Sequence, residues 1–356
     1  MRRVHLVAWR DREDPEGGGS EEHAAQLARH WAAAGLDVTL HTGRVSGLGD
    51  ASERDGYSVR RGGGHLSVFP RTILWEWSGQ AGPRDGLLDI FHGVPFSPLW
   101  ARGPRVGFVH HVHLGTWRHR MPPGMAQVGY LQERVAVPLV YRRATLVTPS
   151  QATRQEIIEK LGMRHADIRI APNGVDERFR PGGTRSSRPL VLAVGRLVPH
   201  KGFDVALRAI AGCRPSRPDL RCVVVGDGPA LPGLRARFAK AHFLGARDHC
   251  DLPALYRAAD VFVFPSRTDT FGLVLLEALA CGTPVAALPG CASQDVLGNS
   301  GAGALDGDLA RACRAALAIP RARAADYGRQ FSWAACTRTF VDQLQASVAE
   351  GASGRS

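Results

Sequence analysis

No stretch of this 356-residue sequence holds the roughly 18–20 consecutive apolar residues that a membrane-spanning helix needs. The opening residues, MRRVHLVAWRDRED, carry an apolar run of only about five, too short for a secretory leader and suited to a first β-strand. A cytoplasmic location is therefore expected. CxxC pairs are also missing. The seven cysteines (Cys213, Cys222, Cys250, Cys281, Cys291, Cys313 and Cys336) all lie in the second half, and an odd number cannot pair completely. They are expected to be reduced packing residues. The chain lacks any zinc-finger, basic-zipper or RNP pattern, so nucleic acid is not an expected partner. It also lacks GxGxxG with its acidic partner, which argues against a nicotinamide dehydrogenase.

What is present is a globular composition, 44% hydrophobic and 22% charged, at a length that suits two domains. The net charge of +12 fits either compositional drift or an acidic partner, such as nucleotide phosphates or an anionic membrane surface. Arginine, histidine and tryptophan concentrate in WARGPRVGFVHHVHLGTWRHRM, residues 100–121.

Short apolar runs alternate with helical periodicity. VHLVAW (4–9), a glycine loop, EEHAAQLARHWAAAG (21–35) and LDVTLHT (36–42) make one βαβ unit, which implies a parallel sheet. Further strands are expected at 87–93, 105–111 and 144–150, and a helix capped by Ser150 follows. Residues 177–189, ERFRPGGTRSSRP, read as a linker. The alternation then restarts, with strands at 189–197, 221–229, 259–266 and 283–290. The expected division is an N-terminal domain over 1–176, a C-terminal domain over 190–325, a helix over 326–346 and a flexible tail over 347–356. In doubly wound domains ligands bind beyond the carboxyl ends of the strands, so the loops after strands carry the chemistry.

Four such loops stand out. Gly17, Gly18, Gly19 and Ser20 open the first helix, where backbone N–H groups favour an anion. GRLVPHKG (195–202) sets Gly195, Arg196 and Lys201 after a strand, a set suited to a diphosphate. VHHVH (109–113) places three histidines at a strand end. Alternation along a strand lets only His111 and His113 share a face, and the spacing completes no metal site. In PSRTDTFGLVLLEALACGT (265–283), Asp269 precedes a helix and Glu277 sits inside its apolar face. Burying that carboxylate without donors is costly, and the hydroxyls of a bound sugar would supply them.

The landmarks IAPNGVD, GRLVPHKG, VVGDGP, HFLGAR, LYRAADVFVFPS and FGLVLLEALACGTPVAA run in order along most of the chain. In this the chain resembles the retaining glycosyltransferases of family 4. Its C-terminal half is similar to a mannosyltransferase-like branch, and its N-terminal half resembles another. The resemblance implies the α/β GT-B fold, two Rossmann-like doubly wound domains facing across a cleft. It implies metal-independent transfer of a hexose from a UDP- or GDP-sugar to a hydroxyl of a glycan, a lipid-linked sugar or a small metabolite. By the same resemblance Arg196 and Lys201 bind the diphosphate, as do Gly18, Gly19 and Ser20. Asp269 lies near the donor sugar and Glu277 binds the ribose. The backbone of Phe271, Gly272 and Leu273 meets phosphate and sugar, and the stretch Leu244–Arg247 meets the base. Gly195 and Gly226, which end the two flanking strands, are expected to line the nucleotide-sugar site. His110, with His111 as the alternative, contacts the donor sugar, and 331–344 forms a helix that closes back on the N-terminal domain. A sugar phosphorylase or sugar-phosphate synthase of the same fold, and a nonenzymatic nucleotide-sugar-binding protein, are the competing readings. The Arg/Trp-rich segment 100–121 is where peripheral contact with an anionic membrane is expected.

Overall fold

The computed structural model describes residues 1–96, 103–142, 144–164, 166–213 and 217–353. It divides into two compact units, one of Met1–Pro172 with Trp333–Ser356, the other of Asn173–Ser332.

The first unit begins with β1 (Arg3–Ala8), α1 (Gly19–Ala33), β2 (Asp37–Thr42) and a hairpin of β3 (Ala51–Arg54) and β4 (Tyr57–Arg61). There follow α2 (Val68–Ser78), β5 (Gly86–Phe91), β6 (Arg105–Val109) and α3 (Trp117–Arg120). Helix α4 (Pro123–Leu131) runs through a π turn, Gln132–Ala136, into α5 (Val137–Tyr141). β7 (Thr145–Thr148), α6 (Gln151–Lys160) and β8 (Ile168–Ile170) complete the sequence up to the boundary. Ser150 caps α6 as its type and place suggest, its hydroxyl accepting from the Thr153 amide at 3.1 Å. The strands form one sheet in the order β3-β4-β2-β1-β5-β6-β7-β8, parallel except for β3. The order reverses between β1 and β5, so the loop after β1 emerges at the switch point.

The second unit runs β9 (Leu190–Val194), α7 (Phe203–Cys213), β10 (Arg221–Val225), α8 (Leu231–Arg237), β11 (His242–Phe243) and α9 (Leu252–Ala258). It continues with β12 (Val261–Phe264), α10 (Leu273–Ala280), β13 (Val285–Ala287), α11 (Cys291–Leu297), β14 (Gly303–Leu305), α12 (Leu309–Leu317) and α13 (Arg321–Gly328). Its sheet is wholly parallel, ordered β11-β10-β9-β12-β13-β14. Alternate residues feed two cores. Leu190, Leu192, Phe262 and Phe264 face α9 and α10, while Val191, Ala193, Val261 and Val263 face α7 and α12. The switch point lies between β9 and β12, so the loops carrying Lys201 and Asp269 leave adjacent strands.

The chain returns to the first unit through α14 (Trp333–Ser353). Trp31 of α1 donates to the Thr337 carbonyl at 3.2 Å, and Phe340 lies 5.1 Å from Phe108 of β6. Helix occupies most of the stretch expected to be a flexible tail from residue 347.

The supposed linker 177–189 is part of the second unit. Phe179 is buried in its core, the Ser186 amide donates to the Ala258 carbonyl at 3.1 Å, and Arg185 pairs with Asp260. Polar composition hid one anchoring aromatic and a neutralised arginine. The β3–β4 hairpin, α2 and the α4–α5 run also lack the clean periodicity that marks the other elements.

Candidate active site

At the switch point of the second unit, β9 ends in Gly195 and β10 in Gly226. The two turns press together backbone to backbone: the Gly195 amide donates to the Val225 carbonyl at 3.0 Å, and Leu197 to Asp227 at 2.8 Å. Gly226 has a φ of +134°, and a Cβ there would lie 1.9 Å from the Gly195 oxygen. Only glycine fits. This closeness leaves Arg196 pointing outward, exposed and without a side-chain partner among the described residues. One short 3-10 turn later, Lys201 forms an ion pair with Asp269 from the loop after β12. The two residues singled out in separate loops are thus brought together.

Helix α10 starts at Leu273, with Gly272 at its N-cap in the left-handed region, φ +72°. The Leu273 and Val274 amides have no intrahelical acceptor, whereas Leu275 closes onto the Gly272 carbonyl at 2.9 Å. The Phe271 side chain is spent in the core, so only its backbone faces outward chemistry. Four residues into the helix lies Glu277, 7% exposed. Its donors come from the protein: Tyr256 of α9 donates its hydroxyl at 2.8 Å, and His249 Nε2 lies 2.9 Å from the other oxygen. The expectation that ligand hydroxyls must satisfy this carboxylate is corrected here. Burial first, then the Glu277 charge, holds the Tyr256 phenol well above its ordinary pKa, so it remains a donor. Neither partner was legible, because each lies more than twenty positions away with no motif linking them. Leu244 sits at the same edge, its amide bonded to the Val224 carbonyl at 2.9 Å, and Arg247 is exposed beyond it.

In the first unit, Gly18, Gly19 and Ser20 do open α1, and the Glu21 side chain reaches back to that turn. Glu21 accepts from the Gly18 amide at 2.8 Å and the Ser20 hydroxyl at 2.7 Å. Glu21 thus meets one amide of the turn, while the Gly19 and Ser20 amides have no intrahelical acceptor. β6 stops at Val109, so His110 to His113 lie beyond the strand and its alternation does not sort them. His110 packs against His23, His92 and Phe108, with ring centroids 5.0, 5.8 and 4.5 Å away. Burial, then the neighbouring histidines, pushes its pKa well below the ordinary value, so the ring is neutral. His111 instead approaches Glu156 of α6 at 3.8 Å. Glu133, from the π turn and unremarked in the sequence, anchors the segment by accepting from the His113 amide at 2.6 Å and the Trp117 indole at 2.7 Å.

Residues 17–179 match the family model described as Glycosyltransferase Family 4, and residues 175–323 match Glycosyl transferases group 1. The chain belongs to glycosyltransferase family 4. Like other members of family 4 it moves a sugar from a nucleotide-sugar donor to an acceptor. Curated relatives include a D-inositol 3-phosphate glycosyltransferase of Mycolicibacterium paratuberculosis, 29% identical over 94% of this chain and 87% of its own length. D-inositol 3-phosphate glycosyltransferase 2 of Catenulispora acidiphila is 29% identical, over 94% and 91%. Among solved structures, sucrose-phosphate synthase from Thermosynechococcus elongatus superposes with a TM-score of 0.79 at 20% identity, over 98% of this chain and all of that one. Anabaena HepE in complex with UDP-glucose gives 0.71 at 17%, over 97% and 100%. These likenesses establish the GT-B fold.

Two groups of side chains in this family 4 protein bring three donor atoms within 4.8 Å of one another, among the described residues. In the buried His5–His41–Glu76 group, Glu76 is already met by His5 at 2.9 Å and by Arg84 at 2.6 Å. The other, Asp248–Cys250–Asp251, is fully exposed. The described residues include no helix long and apolar enough to cross a membrane.

Proposed function

We propose that the protein is a retaining, metal-independent hexosyltransferase that uses a UDP- or GDP-sugar. The observation that carries this reading is the switch point of the second unit, where the exposed Arg196, the Lys201–Asp269 pair and the free amides of α10 come from loops after adjacent strands. In the proposed step the acceptor hydroxyl oxygen bonds to the anomeric carbon on the face from which the diphosphate leaves. The bond from carbon to phosphate oxygen breaks, its electron pair stays on the diphosphate, and that oxygen takes the acceptor's proton. Arg196, Lys201 and the Leu273 and Val274 amides stabilise the growing negative charge, as preorganised donors do. This supply of positive charge is what supports a reaction without a metal. Glu277 has acceptor capacity left beyond Tyr256 and His249, since a carboxylate offers about four lone-pair sites, and it receives the ribose hydroxyls. His110, kept neutral, contributes its carbonyl and an uncharged ring to the sugar. The acceptor is a hydroxyl on a glycan, a lipid-linked sugar or a small metabolite such as the inositol 3-phosphate for which curated relatives are named.

A thermal-shift panel of UDP- and GDP-sugars tests the donor, because a ligand that binds the folded state raises its apparent stability. One nucleotide series should raise Tm, and transfer should persist in EDTA. A protein that no nucleotide sugar stabilises, or activity restored only by Mn²⁺, refutes the respective part.

A further inference from the structure

The run from α4 through the π turn to α5 is apolar on both sides. Its inward residues, Ala126, Gly129, Glu133, Val137 and Val140, are buried, Gly129 and Glu133 against Trp117, and Val137 and Val140 in a core shared with β5 and β7. Its outward face repeats every three or four residues as Val128, Leu131, Val135 and Leu139, all exposed, Leu131 at 61%. An ordinary surface helix carries polar residues there. Helix α2 lies on the same side of the sheet, for its Val68 shares a core with Val137 and Val140. It too leaves large apolar groups in solvent: Leu74, and Trp77 at 70%.

The exposed charge within these segments has one sign. Between residues 117 and 142 the single acid is Glu133, which is buried and occupied, whereas Arg118, Arg134 and Arg142 are exposed. On α2, Arg71 is exposed, and the one acid, Glu76, is held by His5 and Arg84. Tyr130 and Trp77 add amphipathic rings of the kind that settle at a water–lipid boundary. From Val128 to Leu139 the apolar ridge runs about 17 Å at 1.5 Å per residue, and a row edged by arginine with no exposed acid in its own segment matches an anionic bilayer surface.

We infer that the α4–α5 ridge and α2 dock the enzyme on an anionic lipid surface, with the ridge lying in the plane of the headgroups. This goes beyond the donor chemistry and does not depend on it. It also moves the membrane contact expected around residues 100–121 to the helices on either side of most of that segment. The arginines supply the attraction to such a surface, and the apolar row the insertion.

Co-sedimentation with mixed phosphatidylglycerol–phosphatidylcholine vesicles tests it, beside pure phosphatidylcholine and across salt concentration. The wild-type chain should pellet with the anionic vesicles at low salt, less at high salt, and hardly with phosphatidylcholine. Leu131→Gln/Val135→Gln should weaken partitioning at least about tenfold, since each inserted side chain contributes more than that factor on transfer. Both positions are exposed, so the melting temperature should hold. Equal pelleting of the two proteins would overturn the role of the ridge, and equal binding to both lipids the role of the arginines. A wild-type chain that ignores vesicles but forms dimers lost in the double variant would assign the face to a second copy and refute the lipid.

Discussion

The first unit holds eleven of the fourteen histidines and all twelve exposed large hydrophobic side chains among the described residues. The second holds six of the seven cysteines, four of them buried, and no such exposed apolar group among the described residues. Both are doubly wound parallel sheets, so topology does not explain the contrast. The second unit closes two ordinary cores. In it burial lifts Cys281 and Cys313 to about 12, which makes them inert packing groups. Its candidate site residues Arg196, Lys201 and Asp269 follow the carboxyl ends of the strands. The first unit does the reverse, burying groups that can take a proton and exposing surface that would rather be covered. On the readings proposed above, one unit holds a charged ligand at an edge and the other meets a surface.

Acid separates the two most strongly. Burial lowers His23 to about 3. It also lowers His41, helped by the charge of His5, to about 4. Both values lie below those of the unfolded chain, so the unfolded state takes up protons first as pH falls. Stability is full above about pH 6.5 and declines from there towards the folded values. Two such groups remove about 4 kcal/mol between pH 6.5 and 5, at roughly 1.4 kcal/mol per unit each. Glu76 responds lower still. Burial alone would raise it, but the His5 hydrogen bond and Arg84 outweigh that and hold it at about 2, so its contribution is lost only between about 4.5 and 2. Thermal melts followed by circular dichroism across this range should show the first unit melting earlier at pH 5 than at pH 7.5. His23→Leu should remove one proton from the slope. An identical slope in that variant would break the comparison, because the burial of His23 among Phe108, Trp333 and Phe340 would then carry no proton linkage.

The second unit should answer to charge removal at its edge instead. Lys201→Ala and Arg196→Ala are each expected to lower transfer at least about 10²-fold, or about 2.7 kcal/mol, with the pH profile of melting unchanged. Lys201→Ala also leaves Asp269 unpaired, so Lys201→Arg, which keeps the cation, should recover part of the rate. Near-normal turnover in both alanine variants would remove the leaving-group role from this edge.

How much of this could be read from the residues differs between the units for a physical reason. Strands and helices of the second unit are legible as apolar runs broken by glycine, because both faces of its sheet are buried. Gly195, Gly226 and Gly272 announce turns that only glycine makes, and Lys201 and Asp269 stand where strand ends place them. In the first unit, α1 and the inner strands read equally well, but a hairpin, a π turn and a helix apolar on both sides follow no single period. Long-range satisfaction was illegible everywhere. Glu277 was visible as a misplaced acid, yet Tyr256 and His249, which meet it, come from other elements. Nothing in its spacing marks Glu21, although its carboxylate accepts from the Gly18 amide and the Ser20 hydroxyl. Sequence spacing shows where a polar group sits; only the folded chain shows what answers it.

The smallest effect is the most discriminating. Glu277→Gln keeps the shape and removes the charge, so nucleotide affinity should fall about tenfold, near 1.4 kcal/mol, while the chemical step at saturating donor changes little. Tyr256→Phe removes one protein donor and leaves that carboxylate oxygen to the ligand or to water. If Glu277 serves the ribose, Tyr256→Phe should leave nucleotide affinity close to wild type while lowering Tm, since a buried acceptor has lost its partner at a cost of about 1–3 kcal/mol. Calorimetric titration of the nucleoside diphosphate into both variants separates the roles. A Glu277→Gln protein that binds nucleotide as tightly as wild type, yet melts lower, would make this acid a core network member like Glu133 of the first unit, and the contrast between the two units would lose its clearest residue.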